Sequence, residues 1–541
     1  MFQRLFLPLI ALAIAAPAGA QTPPPKLVIG IVVDQMRYDY LYKYANDYGN
    51  GGFKRLLDEG QLYSNAHYSY VPTYTAPGHA SIYTGTTPAR HGIVGNDWYQ
   101  RKYSKSTYCV SDSTVKTIGS NAVKTGQMSP RTLLATTVGD ELRVATNRRS
   151  KVVGIALKDR AAILPAGAIA NGAYWFDGES GNFITSSFYA DSLPRWLRDF
   201  NAKQRGAALL SEPWNRLLPE SSYDESLPDV NPYEGPFKGN SSVAFPHDLP
   251  KLMATNGGQN LIRSTPFGNT LTREMAEAAM VGEQLGKDDF PDLLCVSFSS
   301  PDYIGHQFGT DAQELQDCYL RLDWELERLI SFAENHAGKG NVLIFLTADH
   351  GGATVPAYLM ELNAQGGYMN YSPMRDSVNL WLNRKFQGTG WLETISNEQL
   401  YLNERTIEAA GKSLSEVEDY LAYKLSTFPG VLQTFTATQM RGQEFTTGIG
   451  AKIQKGYYAK RSGNVMLALE PNWMEYSKTG TTHGSPWTYD TRVPMLFWGW
   501  KLKSGEQSRY ATIEDIAPTL SHWLNIPFPN ACSGFILQPR P

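Results

Sequence analysis

Four runs of this sequence are apolar almost without interruption, and each gives way abruptly to polar residues. The run from Lys26 to Val33 ends in Asp34, and that from Lys151 to Leu157 ends in Lys158. Asp292 to Phe298 is followed closely by Asp302, and Asn341 to Leu346 by Asp349 and His350. A strand with one wet face alternates apolar and polar residues, whereas a continuous run rich in β-branched residues predicts a strand covered on both faces. Covering both faces requires helices on either side of a largely parallel sheet. In such sheets the loops leaving the carboxyl ends of the strands converge, and ligands bind there. The expected fold class is therefore α/β, a largely parallel central sheet flanked by helices, with its polar residues gathered along one edge.

Helical patterns fall between these runs. Ser129-Pro130 reads as an N-cap and first helical residue before a helix over Arg131 to Arg143. A second helix runs from Asp311 to His336 and stops at Gly338, and Arg492 to Gly499 returns to a strand before a helix over Ile513 to Leu524. Two regions break the rhythm. Residues 161–265 are rich in Pro, Asn, Gly and Ser and read as an irregular insertion. Residues 357–480 hold a helical stretch near Ser413 to Leu425 and later β-like runs, the pattern of a cap or smaller appended lobe. Residues 21–541 thus read as one α/β domain interrupted twice, and 42% hydrophobic residues suffice for a large core.

The first 20 residues stand apart. Arg4 precedes an apolar run from Leu5 to Ala16, and Ala18-Gly19-Ala20 has the small-x-small form of a cleavage site, so this is a secretory signal peptide. The run is shorter than the roughly 20 apolar residues of a membrane anchor, and no later stretch approaches a span. The expectation is a soluble secreted protein, periplasmic, starting near Gln21. Export makes disulfides possible among Cys109, Cys295, Cys318 and Cys532 in any of three pairings, although Cys295 in its strand pattern reads as an inert buried thiol. With 49 basic and 52 acidic residues the net charge is -3, which supplies no basic field for a nucleic-acid backbone. Dedicated nucleic-acid binding is excluded, and oligomeric state stays open.

Six residues just past strands or in Gly-containing turns have metal-ligand chemistry: Asp34, Asp302, His306, Asp349, His350 and His483. Zinc accepts this mixture of nitrogen and oxygen donors. Asp302 and His306 are spaced i, i+4, which puts both on one face of a helical turn. Adjacent Asp349 and His350 could serve one metal only from a turn, for which Gly351-Gly352 supplies flexibility, and His483-Gly484-Ser485 is a polar loop able to reach in from far along the chain. His67, His79, His91, His247, His336 and His522 are taken as structural or exposed. Taken singly, an Asp after a strand is a turn former or helix cap.

Together these motifs are recognisable. Asp34 after a buried strand, Thr75-Ala-Pro-Gly-His79, His91-Gly-Ile-Val-Gly-Asn96, Asp302-Tyr-Ile-Gly-His306, Thr347-Ala-Asp-His-Gly-Gly352 and Thr482-His-Gly484 resemble, in order, the motifs of the alkaline phosphatase superfamily. The resemblance spans residues 26 to 525 and is to the secreted, PafA-like enzymes with a threonine nucleophile, allied to nucleotide pyrophosphatase/phosphodiesterases. It implies two zinc ions, one held by Asp302, His306 and His483, the other by Asp34, Asp349, His350 and the Thr75 oxygen. It also implies that Asn96, Lys158 and Arg160 contact the transferred phosphoryl group. Lys158 and Arg160 leave their strand at i, i+2, hence on one face, where two fixed cations suit a dianionic monoester better than a monoanionic diester. Sulfatases need a Cys or Ser where this chain has Thr75. The expected activity is hydrolysis of phosphate monoesters through a phospho-threonine. The rivals are a phosphodiesterase or nucleotide pyrophosphatase on the same scaffold and a non-catalytic periplasmic phosphate-binding protein.

Overall fold

The computed structural model describes residues 23–538. The signal peptide read in residues 1–20 lies outside the described residues. A ten-stranded sheet runs through the protein, and its five central neighbours, Val342–Thr347, Leu27–Val33, Asp292–Phe298, Val152–Ala156 and Gly172–Asp177, are mutually parallel. Every residue of these five strands is buried, as continuous apolar runs require.

The register decides where their ends lie. Val33 pairs with Phe298, Val32 with Thr347, and Ser297 with Ala156, so the strands finish level and Asp34, Lys158, Asp302, Asp349 and His350 leave at one edge. The strands next to this block are antiparallel to it: Met495–Gly499 beside Val342–Thr347 on one side, Asn182–Ser186 beside Gly172–Asp177 on the other. Among the described residues no helix is long and apolar enough to cross a membrane.

Two readings of the sequence differ from the fold. Ser129-Pro130 opens only a 3₁₀ turn over Pro130–Thr132, and the helix is Val138–Ala145. Its start is set by a capping box, in which the Asp140 N–H donates to Thr137 Oγ1 and the Thr137 N–H donates to Asp140 Oδ2, both at 3.0 Å. That reciprocal pair satisfies two otherwise orphaned groups, which a single Ser cap cannot match. Residues 161–265 are not wholly an irregular insertion, because Gly172–Asp177 and Asn182–Ser186 belong to the main sheet. The flanking Gly and Asn residues, which serve the turns, disguise these strands in the sequence. The four cysteines, whose pairing the sequence left open, are unpaired. Cys295 is buried in its strand, and burial pushes its thiol up to about 12.

Residues 357–480 contain their own four-stranded sheet, ordered Leu392–Ser396, Gln399–Leu402, Val465–Leu469 and Val431–Thr436, packed with the helices Tyr371–Phe386 and Leu414–Leu425. Met374, Val378, Leu382, Leu400, Val417 and Leu421 form a core separate from that of the main sheet.

Candidate active site

The six residues with metal-ligand chemistry fall into two groups at the carboxyl edge of the sheet. Asp302, His306 and His483 form one, and Asp34, Asp349 and His350 the other; within each, one ligand atom per residue lies within 4.8 Å of the rest. Helix Ser300–Phe308 presents Asp302 and His306 one turn apart, with His306 Nε2 3.2 Å from Asp302 Oδ1. His483 Nε2 reaches the same oxygen at 3.5 Å. In the second group His350 Nε2 stands 3.5 Å from Asp34 Oδ1 and 3.6 Å from Asp349 Oδ2.

The imidazoles are oriented by backbone carbonyls. His306 Nδ1 donates to Thr481 O at 2.7 Å, His483 Nδ1 to Thr73 O at 2.7 Å, and His350 Nδ1 to Gly351 O at 2.8 Å. A carbonyl can only accept, so each Nδ1 carries a proton; in His483 and His350, which stay neutral, Nε2 is left with its lone pair toward the carboxylates. Burial drives His483 down to about 3 and His350 well below the usual range, keeping both neutral. Burial also lifts Asp34 to about 6 against the pull of Lys158, and lifts Asp349 well above the carboxylate range with help from Asp34. Asp302 lies well below that range, because His306 and Lys158 outweigh the cost of its burial. Asp34 Oδ1, Asp349 Oδ2 and His350 Nε2 are buried without a hydrogen-bond partner. These orphaned atoms, nitrogen and oxygen together, all lie in the second group, and the donor chemistry of each group fits a bound metal ion.

Thr75 opens helix Thr75–Thr84 after Tyr74 in extended conformation, so its hydroxyl sits in the first turn, where the helix dipole favours negative charge. Gly78 brings this helix against the Asp349 loop: a Cβ there would stand 2.3 Å from Asp349 O. Asn96 Oδ1 accepts from the Ala76 N–H at 2.9 Å, which fixes the amide plane and leaves Nδ2 to donate elsewhere.

Lys158 and Arg160 do not leave a strand on one face. The strand stops at Ala156 and Asp159–Ala166 is a helix, with Lys158 as its N-cap residue and Arg160 in its first turn. Lys158 is 4% exposed, its Nζ 2.7 Å from Asp34 Oδ2 and 2.5 Å from Asp302 Oδ2, bridging the two groups. Arg160 Nη1 donates to Tyr108 Oη at 3.0 Å, and its buried Nε has no partner.

Residues 28–493 match the family described as type I phosphodiesterase / nucleotide pyrophosphatase. The chain belongs to this family. It is 44% identical over 529 residues to the alkaline phosphatase PafA of Elizabethkingia meningoseptica, covering 97% of this chain and 96% of that protein. The crystal structure of wild-type PafA superposes with a TM-score of 0.92 at 44% identity, over 95% of this chain and 99% of that one. A PafA variant substituted at one threonine, one asparagine, one lysine and one arginine superposes with the same TM-score at 42% identity, with the same coverage. The alkaline phosphatase-like architecture expected from the motifs is the one observed.

Two further residues, His79 and Asp490, brace the two ligand groups. His79, taken as structural, is buried with Nδ1 2.9 Å from Thr75 O and 3.4 Å from Asp349 Oδ2, linking the first turn of the Thr75 helix to one ligand group. Asp490 Oδ2 accepts from the Gly484 N–H, the Ser485 N–H and Ser485 Oγ, at 3.1, 2.8 and 2.6 Å, and its carbonyl accepts from the Gly351 N–H at 2.8 Å. One residue thus ties the loops of His483 and His350 together. Asp490 stands in no motif, whereas His79 closes the Thr75-Ala-Pro-Gly-His79 motif.

Proposed function

We propose that this chain is a secreted, zinc-dependent phosphate-monoester hydrolase that works through a covalent phospho-threonine at Thr75. The observation that carries the reading is two three-residue metal-ligand groups meeting at one sheet edge, bridged by the Lys158 ammonium. Asp302, His306 and His483 would hold one ion, and Asp34, Asp349 and His350 the other with the Thr75 oxygen. When bound, two Zn²⁺ ions supply Lewis acidity, lowering the pKa of an oxygen nucleophile and offsetting charge on phosphoryl oxygens.

The residues of the chain do the rest. Thr75 attacks phosphorus from the helix start, where the N-terminal dipole favours its alkoxide and the incoming anion alike. Asn96 Nδ2, held by the Ala76 contact, donates to a non-bridging oxygen. Lys158 and Arg160 bind the others, and Arg160 keeps donors free for this because Tyr108 engages only one of its nitrogens. The substituted positions of the PafA variant are spaced along that chain as Thr75, Asn96, Lys158 and Arg160 are along this one, which supports their assignment here. As the Thr75 O–P bond forms, the ester P–O bond breaks and the leaving alcohol departs with a proton from water; a second water then attacks phosphorus, the Thr75 O–P bond breaks, inorganic phosphate is released and Thr75 regains its proton.

The test is turnover of an aryl phosphate and of its methyl diester by zinc-loaded protein. Faster monoester hydrolysis, with acid-trapped phosphate on Thr75, is expected. Faster diester hydrolysis would make the enzyme a phosphodiesterase, and phosphate binding without turnover a binding protein. Mature protein beginning at Gln21 would establish export.

A further inference from the structure

The strand Leu27–Val33 hands its chain to Asp34 and then reverses at Gln35, which has φ +62°. Left-handed backbone disfavours any residue with a Cβ, and glycine is the usual occupant. Gln35 is nevertheless present, 3% exposed, with its side chain in a slot made by two glycines. A Cβ on Gly305 would come within 1.9 Å of Gln35 Oε1, and one on Gly352 within 3.0 Å of Gln35 Cγ. The surrounding structure is shaped to admit this amide.

The amide is used at both ends of the residue. Gln35 Nε2 donates to Asp302 Oδ1 at 2.9 Å, and the Gln35 backbone N–H donates to Asp349 Oδ1 at 3.2 Å. Asp302 Oδ1 is the oxygen that faces His306 and His483. Gln35 is joined by a peptide bond to Asp34. A single residue therefore constrains all three carboxylates of the two ligand groups, one covalently, one through its backbone and one through its side chain.

We propose that Gln35 is a positioning residue for the metal centre, its side-chain amide orienting Asp302 for the first site while its backbone N–H orients Asp349 for the second. This rests on the two-zinc reading above. Partners that orient a ligating group typically change metal affinity by 10- to 100-fold when removed. The side chain and the backbone can be separated experimentally, because Gln35→Met keeps the length and the backbone donor and removes only the amide. Gln35→Gly removes the side chain and suits the left-handed backbone, so it serves if the methionine variant does not fold.

The experiment is competition of metal-stripped, full-length protein with a chromophoric chelator for Zn²⁺, with thermal unfolding of the metal-free protein measured alongside. Wild type should bind two ions. Each variant should lose about 10- to 100-fold in affinity at one site only. The metal-free unfolding temperature should stay near that of wild type, and turnover lost at limiting Zn²⁺ should return at saturating Zn²⁺. Wild-type affinity at both sites in the variants would overturn the proposal, as would equal losses at the two. A wild-type chain that binds no zinc would instead overturn the two-zinc reading itself.

Discussion

On the proposed mechanism, removing Arg160 should separate phosphate recognition from metal binding more cleanly than removing Lys158. Lys158 Nζ pairs with Asp34 and Asp302, so its loss would also disturb two of the proposed metal-ligand carboxylates. Arg160 touches neither; it donates to Tyr108 Oη, which in turn donates to Asp159 Oδ1 at 2.5 Å. A guanidinium-to-phosphoryl contact is charge-assisted and worth about 1.5 to 3 kcal/mol, so Arg160→Ala should lower kcat/KM for an aryl phosphate by roughly 10- to 150-fold. A methyl diester carries one negative charge where the monoester carries two, so its kcat/KM should fall less, and the monoester-to-diester ratio should drop by about tenfold. Tyr108→Phe removes one neutral hydrogen bond that aims the guanidinium, worth about 0.5 to 1.5 kcal/mol, and should cost roughly 2- to 10-fold. The assay is steady-state kinetics on both substrates with zinc measured in the same samples. Equal losses on monoester and diester, or a variant depleted of zinc, would show that Arg160 supports the fold or the metals and would refute the reasoning.

Other expectations follow from the same geometry. Thr75→Ala should reduce turnover by on the order of 10³-fold or more while zinc remains bound, and persisting acid-stable phosphate on the variant chain would contradict the nucleophile assignment. Chelation should abolish activity, with about two zinc ions per chain needed to restore it; full turnover with one would reject the bimetallic site. Gly78→Ala gains helix propensity, yet its Cβ would meet Asp349 O at 2.3 Å and Asp349 Cβ at 2.8 Å. Backbone cannot yield there, so the variant should lose about 1 to 3 kcal/mol, read as a lower unfolding temperature together with reduced activity. Burial lifts Glu398 to about 7 from 4.5, where the Tyr74 and Tyr371 hydroxyls donate to it. An acid with a raised folded pKa contributes stability that is present below its unfolded pKa and lost as pH rises through the folded one. Between pH 4.5 and 7, therefore, wild type should lose stability relative to Glu398→Gln, and parallel unfolding curves would rule this out.

Much of the fold was legible because burial on both faces leaves an unmistakable trace. The runs ending at Val33, Leu157, Phe298 and Leu346 needed no partner to be read as central strands, and they are four of the five parallel ones. Gly172–Asp177, the fifth, was hidden by the turn residues around it, and the helix before the Val152–Ala156 strand was started too early because two capping signals compete within ten residues. The six metal-ligand candidates were legible for a chemical reason: few structural roles require Asp and His together just past a strand.

The sequence by itself determined the residue types that can meet at the sheet edge, since the strands must end where their apolar runs end. Which of them meet was decided by tertiary structure, because strand register and the loops of Gly351 and Gly484 set distances that no local pattern encodes. The roles of Gln35, His79 and Asp490 are of this second kind. A glutamine after a strand looks like any turn residue until two glycines from distant segments open a slot for it and two carboxylates arrive within reach of its donors. Hydrogen bonds act over about 3 Å, and only the folded chain brings groups hundreds of residues apart to that distance.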